Sequence, residues 1–212
     1  MNNKIEEIKK LESPPKVIDN IFNQNEIDDF LRLYAKLPVT VHNKKQNVIK
    51  KRWLQGFNVD LEKKFFDRVS KEIGHFKLDN LKDDNGKDIF GLIQESYNPI
   101  GLHVDAGFEI NSQIYKQTLI PLSSIGSTVI FKNRFYNGST SFTQDPEELN
   151  KKNLSYGQNK RSDIHLKMYG NKPFDEKIHK KYLQHEKIEN LKGLEVELIY
   201  EWKVGSILIF DR

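Results

Sequence analysis

Ile100-Gly101-Leu102-His103-Val104-Asp105 closes an apolar run, and a small turn at Ala106-Gly107 follows it. Taken as an extended strand, these residues send His103 and Asp105 to one face and Val104 to the other, because strand side chains alternate. An imidazole and a carboxylate then converge. They supply two ligands of the arrangement, two histidines and one carboxylate, that leaves positions open on an Fe(II) ion. A His-x-Asp triplet also fits a surface turn, so its surroundings decide its meaning.

Those surroundings are a succession of short strand-like runs. Phe90 to Tyr97 reads as a strand closed by the turn signal Asn98-Pro99. Further runs follow at Tyr115 to Leu122, Ser127 to Phe131, Leu194 to Trp202 and Ser206 to Phe210, the last introduced by Gly205. Antiparallel strands in two facing sheets use such runs naturally. The expected fold is mainly β with N-terminal helices: a double-stranded β-helix, or cupin-like jelly roll, with its C-terminal strands incomplete.

Three segments carry a resemblance to a known family. They are Ser96-Tyr97-Asn98-Pro99 leading into Gly101 to Asp105, Lys116-Gln117-Thr118-Leu119-Ile120-Pro121-Leu122, and Trp202 to Arg212. Together they resemble the Fe(II)- and 2-oxoglutarate-dependent oxygenases, in particular the phytanoyl-CoA-dioxygenase-like and small microbial members, over roughly the C-terminal three-fifths of the chain. The resemblance implies a dioxygenase that hydroxylates a small molecule with O2, converting 2-oxoglutarate to succinate and CO2. It implies His103 and Asp105 as metal ligands, with Tyr97 and Gln117 beside the cosubstrate. In that family a second metal histidine follows the Gly-x-x-x-x-Phe-Asp strand, and a basic residue that binds the keto acid's far carboxylate comes about a strand later. Here the sequence stops at Arg212, and a truncated chain is the expectation. The alternatives are a cupin-like metal-binding jelly roll completed by His165, His179 or His185, and a noncatalytic binding module.

The remaining sequence divides around this core. Residues 1–85 read as a lead-in and supporting helices packed on the sheet, and residues 86–212 as the jelly-roll core with a long insertion at about 134–193. Met1 to about Pro15 reads as a mobile lead-in, and Lys16 to Asp19 as a short strand. Asn23 with Glu26 has the form of a capping box, stapled by Phe22 and Ile27. Ile27, Phe30, Leu31, Tyr34 and Ala35 then recur at helical spacing up to about Lys36, before Pro38. A second helix begins at Asp60, with Leu61, Phe65, Val69 and Ile73 as its stripe and Gly74 as its stop. Asn85-Gly86 marks a turn tip. The insertion turns helical near Asp175 to Leu191. Loops above about 15 residues are often functional, which makes Phe135, Tyr136, Tyr156, Arg161 and Tyr169 candidates for a substrate pocket.

Composition limits the partners. The chain has 212 residues, 34 Lys and Arg against 30 Asp and Glu, and a formal charge of +4. Its cations are interspersed with acids, so an ordinary solvated surface is favoured over a nucleic-acid groove. No apolar run approaches the roughly 20 residues that cross a bilayer, and the N-terminus lacks a signal-peptide core. A cytoplasmic location is the default expectation. With no cysteine, any metal must be held by His and carboxylate.

Overall fold

Two helices form because their first turns are capped from the sequence. In the computed structural model of the chain, which describes residues 2–43, 48–78, 81–103, 116–134 and 170–211, Asn23 Oδ1 accepts the Glu26 N–H at 3.0 Å. The Glu26 carboxylate accepts the Asn23 N–H at 2.9 Å in return, a reciprocal box that starts α2 (Gln24–Lys36). The helix ends at Leu37, which is already extended, as the residue before a proline prefers to be. In α3 (Val59–Ile73), Asn58 caps the Leu61 N–H at 3.2 Å. Gly74, at φ 78°, supplies the stop in a conformation other residues resist.

The apolar stripes of both helices meet one face of the sheets. Phe30, Leu33, Leu61, Phe65 and Val69 are buried there with Trp53, Phe90, Ile207 and Ile209. The aromatic rings interlock: Phe22 meets Phe30 edge-on at 5.3 Å, and Trp53 lies 4.3 Å from Phe90. The indole N–H of Trp53 reaches Glu62 Oε1 at 3.1 Å. Glu62, itself buried, also accepts the Gly56 N–H at 2.9 Å, so its carboxylate is satisfied inside the core.

All strand pairings among the described residues are antiparallel. One sheet has the order β1 (Lys16–Ile18), β8 (Ile207–Asp211), β5 (Lys116–Leu119). A second has β2 (Val41–Asn43), β3 (Val48–Leu54), β4 (Ile89–Ser96), and a third pairs β6 (Ser127–Phe131) with β7 (Val196–Glu201). The expected strands outside the triplet segment thus form within two residues of their expected ends, except that β5 stops at Leu119, three residues short of Leu122. In β8, Ile207 and Ile209 face the helices. Alternation turns Leu208 and Phe210 to the other side, where they lie opposite Leu119 and Gln117. Asp211 accepts the Ser13 N–H at 2.7 Å and the Lys116 ammonium at 2.8 Å, tying three chain segments together.

Three features depart from the sequence reading. The expected mobile lead-in contains a helix, α1 (Asn2–Leu11), in which Ile5, Ile8 and Leu11 repeat at helical spacing among charged residues. Strand β3 lies inside the supposed helical appendage and pairs with β4 along seven positions. Its Lys50-Lys51-Arg52 run resembles a solvated surface, yet Lys51 turns to the helix side. There its ammonium donates to the Tyr34 carbonyl at 2.8 Å and sits 3.9 Å over the Tyr34 ring. With β1 paired to β8 as well, sheet pairing runs across residue 85 at both ends of the chain. Third, residues 100–103, the described part of the expected triplet strand, form no strand.

The tight turn before β8 depends on Gly205. Its φ is 83°, and a Cβ there would lie 2.7 Å from the Phe22 carbonyl oxygen. The Phe22 N–H also donates to the Gly205 carbonyl at 3.0 Å, so the contact cannot open without losing a hydrogen bond. Gly205→Ala is expected to cost about 1–3 kcal/mol, read as a lower urea midpoint at an unchanged slope.

Candidate functional site

A second apolar cluster lies beneath the segment that leads to His103. Phe174, Leu183, Leu191 and Leu194 are buried beneath β6 and β7, where Val129, Phe131 and Val196 pack on them together with Leu102. A short helix, α4 (Glu176–Tyr182), leads into this cluster. Asp175 caps it by accepting the Lys177 and Ile178 N–H groups at 2.7 and 3.0 Å. A 3-10 turn, Ile188–Leu191, follows. The helical character expected near Asp175 to Leu191 is therefore present, and its purpose in the fold is to carry Leu183 and Leu191 under the sheet.

The backbone leading to His103 is pinned by this segment rather than by a neighbouring strand. The Leu102 N–H donates to Glu186 Oε1 at 2.6 Å. His185 donates a ring N–H to the Ile100 carbonyl. A carboxylate and an imidazole thus bond two backbone groups that a strand ladder would otherwise use.

His103 itself is half-buried. Its Nδ1 lies 2.6 Å from the Gly101 carbonyl. Because a carbonyl only accepts, Nδ1 carries the proton in this bond. An outer bond of this kind orients ligating imidazoles. Asp105, the expected second ligand, lies outside the described residues, as do His165, Phe135, Tyr136, Tyr156, Arg161 and Tyr169. Among the described residues no three His, Asp or Glu side chains are placed to hold a metal ion.

The other expected site residues are distributed unevenly. Gln117 is half-buried on β5, opposite Phe210 and on the same face as Leu119. Tyr97 is 61% exposed, and its hydroxyl donates to the Glu95 carboxylate. That bond, with the charge of Glu95, holds the phenol above its ordinary titration range. His179 Nε2 lies 2.8 Å from the Glu186 carbonyl and so carries its proton there, which removes Nε2 as a ligand. His185 anchors the insertion to the triplet segment, and its Nε2 is buried without a hydrogen-bond partner among the described residues.

Burial holds the His185 imidazole below its ordinary titration range, with the neighbouring His179 adding to the effect and the Ile100 bond opposing it. A folded-state pKa below the unfolded one contributes stability above the unfolded value, and that contribution is lost as pH falls through the folded value. Thermal midpoints of the wild-type chain are therefore expected to fall on acidification below about pH 6.5. His185→Gln should flatten that part of the profile. Parallel profiles for the two proteins would remove His185 as the cause.

Glu186 is the site residue that sequence reasoning missed. It is 4% exposed. Burial pushes its carboxyl above the usual range, while the Leu102 N–H, the Asn190 side chain and the nearby His103 work the other way. Within Gln184-His185-Glu186-Lys187 nothing in the pattern marks it as buried.

No family model, curated protein or solved structure matches the chain. No helix among the described residues is long and apolar enough to cross a membrane.

Proposed function

We propose that the chain is an Fe(II)- and 2-oxoglutarate-dependent dioxygenase acting on a small-molecule substrate, with His103 and Asp105 as metal ligands. The observation that carries this reading is the His103 imidazole. It is oriented through Nδ1 by the Gly101 carbonyl and stands on a backbone held by Glu186 and His185, two residues before a carboxylate.

The strand pairing supports the reading. Strands β5 to β8 pair as nested hairpins, β6 with β7 inside and β5 with β8 outside. A jelly roll is such a pairing wound over into two facing sheets. On that winding β4 occupies the first strand position, and Gln117, Leu119, Leu208 and Phe210 turn toward the interior, away from the helices.

Fe(II) with 2-oxoglutarate supplies the oxidising chemistry, in which 2-oxoglutarate and O2 yield succinate, CO2 and a hydroxylated substrate. The protein's part is placement. His103 would supply a ring nitrogen and Asp105 a carboxylate oxygen to the metal, and the Gln117 amide would donate to a cosubstrate oxygen. Leu119, Leu208 and Phe210 keep water from that face. Tyr97 would have to release Glu95 before its hydroxyl could serve the cosubstrate. The test is anaerobic addition of Fe(II) and 2-oxoglutarate to the chain, followed through the charge-transfer absorption of the keto acid on ferrous iron, with His103→Ala as the comparison.

A further inference from the structure

Alternation along β3 separates its three consecutive cations. Lys51 and Trp53 face the helices, so Lys50 and Arg52 project from the opposite side of the sheet. Their cross-strand partners on β4, Gln94 and Leu92, project with them. That side is open to solvent, since Leu92 is 52% exposed. Glu95, the one acid in the two strands, lies opposite Ile49 on the helix side. The face therefore carries two cations, an amide and an apolar side chain, and no carboxylate from either strand.

Other strand cations find acceptors. Lys16 reaches Glu72 at 3.4 Å, Lys51 the Tyr34 carbonyl at 2.8 Å and Lys116 Asp211 at 2.8 Å. The Lys50 ammonium has no acceptor among the described residues. Arg52 meets one oxygen of Asp84 through Nη1 at 3.3 Å, and that carboxylate is 91% exposed. A pair so open to water contributes little. It also leaves most of the guanidinium's N–H donors unused among the described residues.

Two cations alternating on one strand stand about 7 Å apart at the backbone, close enough for their long side chains to close on one group. A nucleic-acid strand asks for a longer basic track with rings for its bases, whereas Trp53 and Phe90 are turned toward the helices. A carboxylate brings a single charge. A phosphate monoester brings about 1.5 to 2 negative charges and three acceptor oxygens at pH 7, which suits an ammonium beside a planar fork of donors.

We propose that Lys50 and Arg52 form a binding site for a small phosphate monoester, the two cations holding the phosphoryl group and Leu92 supporting the apolar body of the ligand. The site stands on β3 and β4 alone and is independent of any metal.

Titration of the full 212-residue chain with hexyl phosphate tests it, followed by calorimetry and by the amide shifts of Lys50, Arg52 and Leu92. Saturable binding at those amides is expected, weakened about 10-fold or more by Lys50→Gln and by Arg52→Gln, as loss of a charge-assisted hydrogen bond implies. Leu92→Ser should weaken hexyl phosphate and leave inorganic phosphate as it was. Lys63→Gln removes an exposed cation from α3 and should change nothing. Equal weakening by Lys63→Gln would mean attraction to net charge alone and would overturn the site. So would the absence of saturable binding, or wild-type affinity in both Lys50→Gln and Arg52→Gln. Hexanoate binding as tightly as hexyl phosphate overturns the choice of phosphate, and tighter binding of a short oligothymidylate through the same residues overturns the choice of a small molecule.

Discussion

His103→Ala is expected to abolish the charge-transfer absorption of Fe(II) with 2-oxoglutarate and to weaken Fe(II) binding by more than about 100-fold, since loss of outer-shell partners alone costs 10- to 100-fold. His103 Nδ1 is committed to the Gly101 carbonyl at 2.6 Å, and alanine removes the ring and that bond while leaving the Leu102 N–H on Glu186. The substitution falls on a half-buried side chain outside both apolar clusters, so the fold should persist and circular dichroism should be unchanged. Asp105→Ala should give the same loss. Wild-type absorption in either variant would reject the metal assignment at that residue, and a wild-type chain without the absorption would reject the proposed function.

Trp53→Ala is expected to lower stability by about 3–5 kcal/mol, the usual cost of truncating a buried aromatic. Trp53 is 3% exposed and joins the two helices to the sheet. Its ring centroid lies 6.1 Å from that of Phe30 on α2 and 4.3 Å from that of Phe90 on β4. The indole also donates to Glu62, so truncation both opens a cavity and deprives a buried carboxylate of one of its donors. Glu62 keeps the Gly56 N–H at 2.9 Å and the Asn58 N–H at 3.3 Å. The hydrogen-bond part of the loss is therefore the smaller one. Trp53→Phe separates the two, since it retains much of the packing and loses only the N–H. Urea unfolding measures both variants. A loss below about 1 kcal/mol for Trp53→Ala, well under the usual range for such a truncation, would mean that the aromatic cluster does not bind helices to sheet as described.

The two supporting helices were legible because their signals are local. Asn23 with Glu26, and Asn58 to Gly74, carry start, stripe and stop within a single element. Most of the strands were legible for a similar reason, as short β-branched and aromatic runs between turn residues. Strand β3 was obscured because its three consecutive cations resemble a solvated face. Only the packing of α2 against it gives Lys51 a carbonyl and an aromatic ring to rest on. The site was less legible than the fold. Alternation along a strand predicts a shared face for His103 and Asp105; of that pair His103 alone is among the described residues, and residues 100–103 are not a strand.

The sequence by itself determined the elements whose hydrogen bonds and apolar contacts close within a few residues: the capped helices, the Asn85-Gly86 turn, and the short strands with their inward and outward faces. It also determined that any metal here must be held by nitrogen and oxygen, because there is no thiol. Tertiary structure alone decided which backbone groups are answered from far along the chain. The Leu102 N–H finds its acceptor 84 positions away in Glu186, and Ser13 finds Asp211 at a separation of 198. A hydrogen bond across such a distance leaves no periodicity behind, since its donor is a backbone N–H of the kind almost every residue carries, and the packing of Leu102 on the cluster that holds Leu191 brings the two segments together.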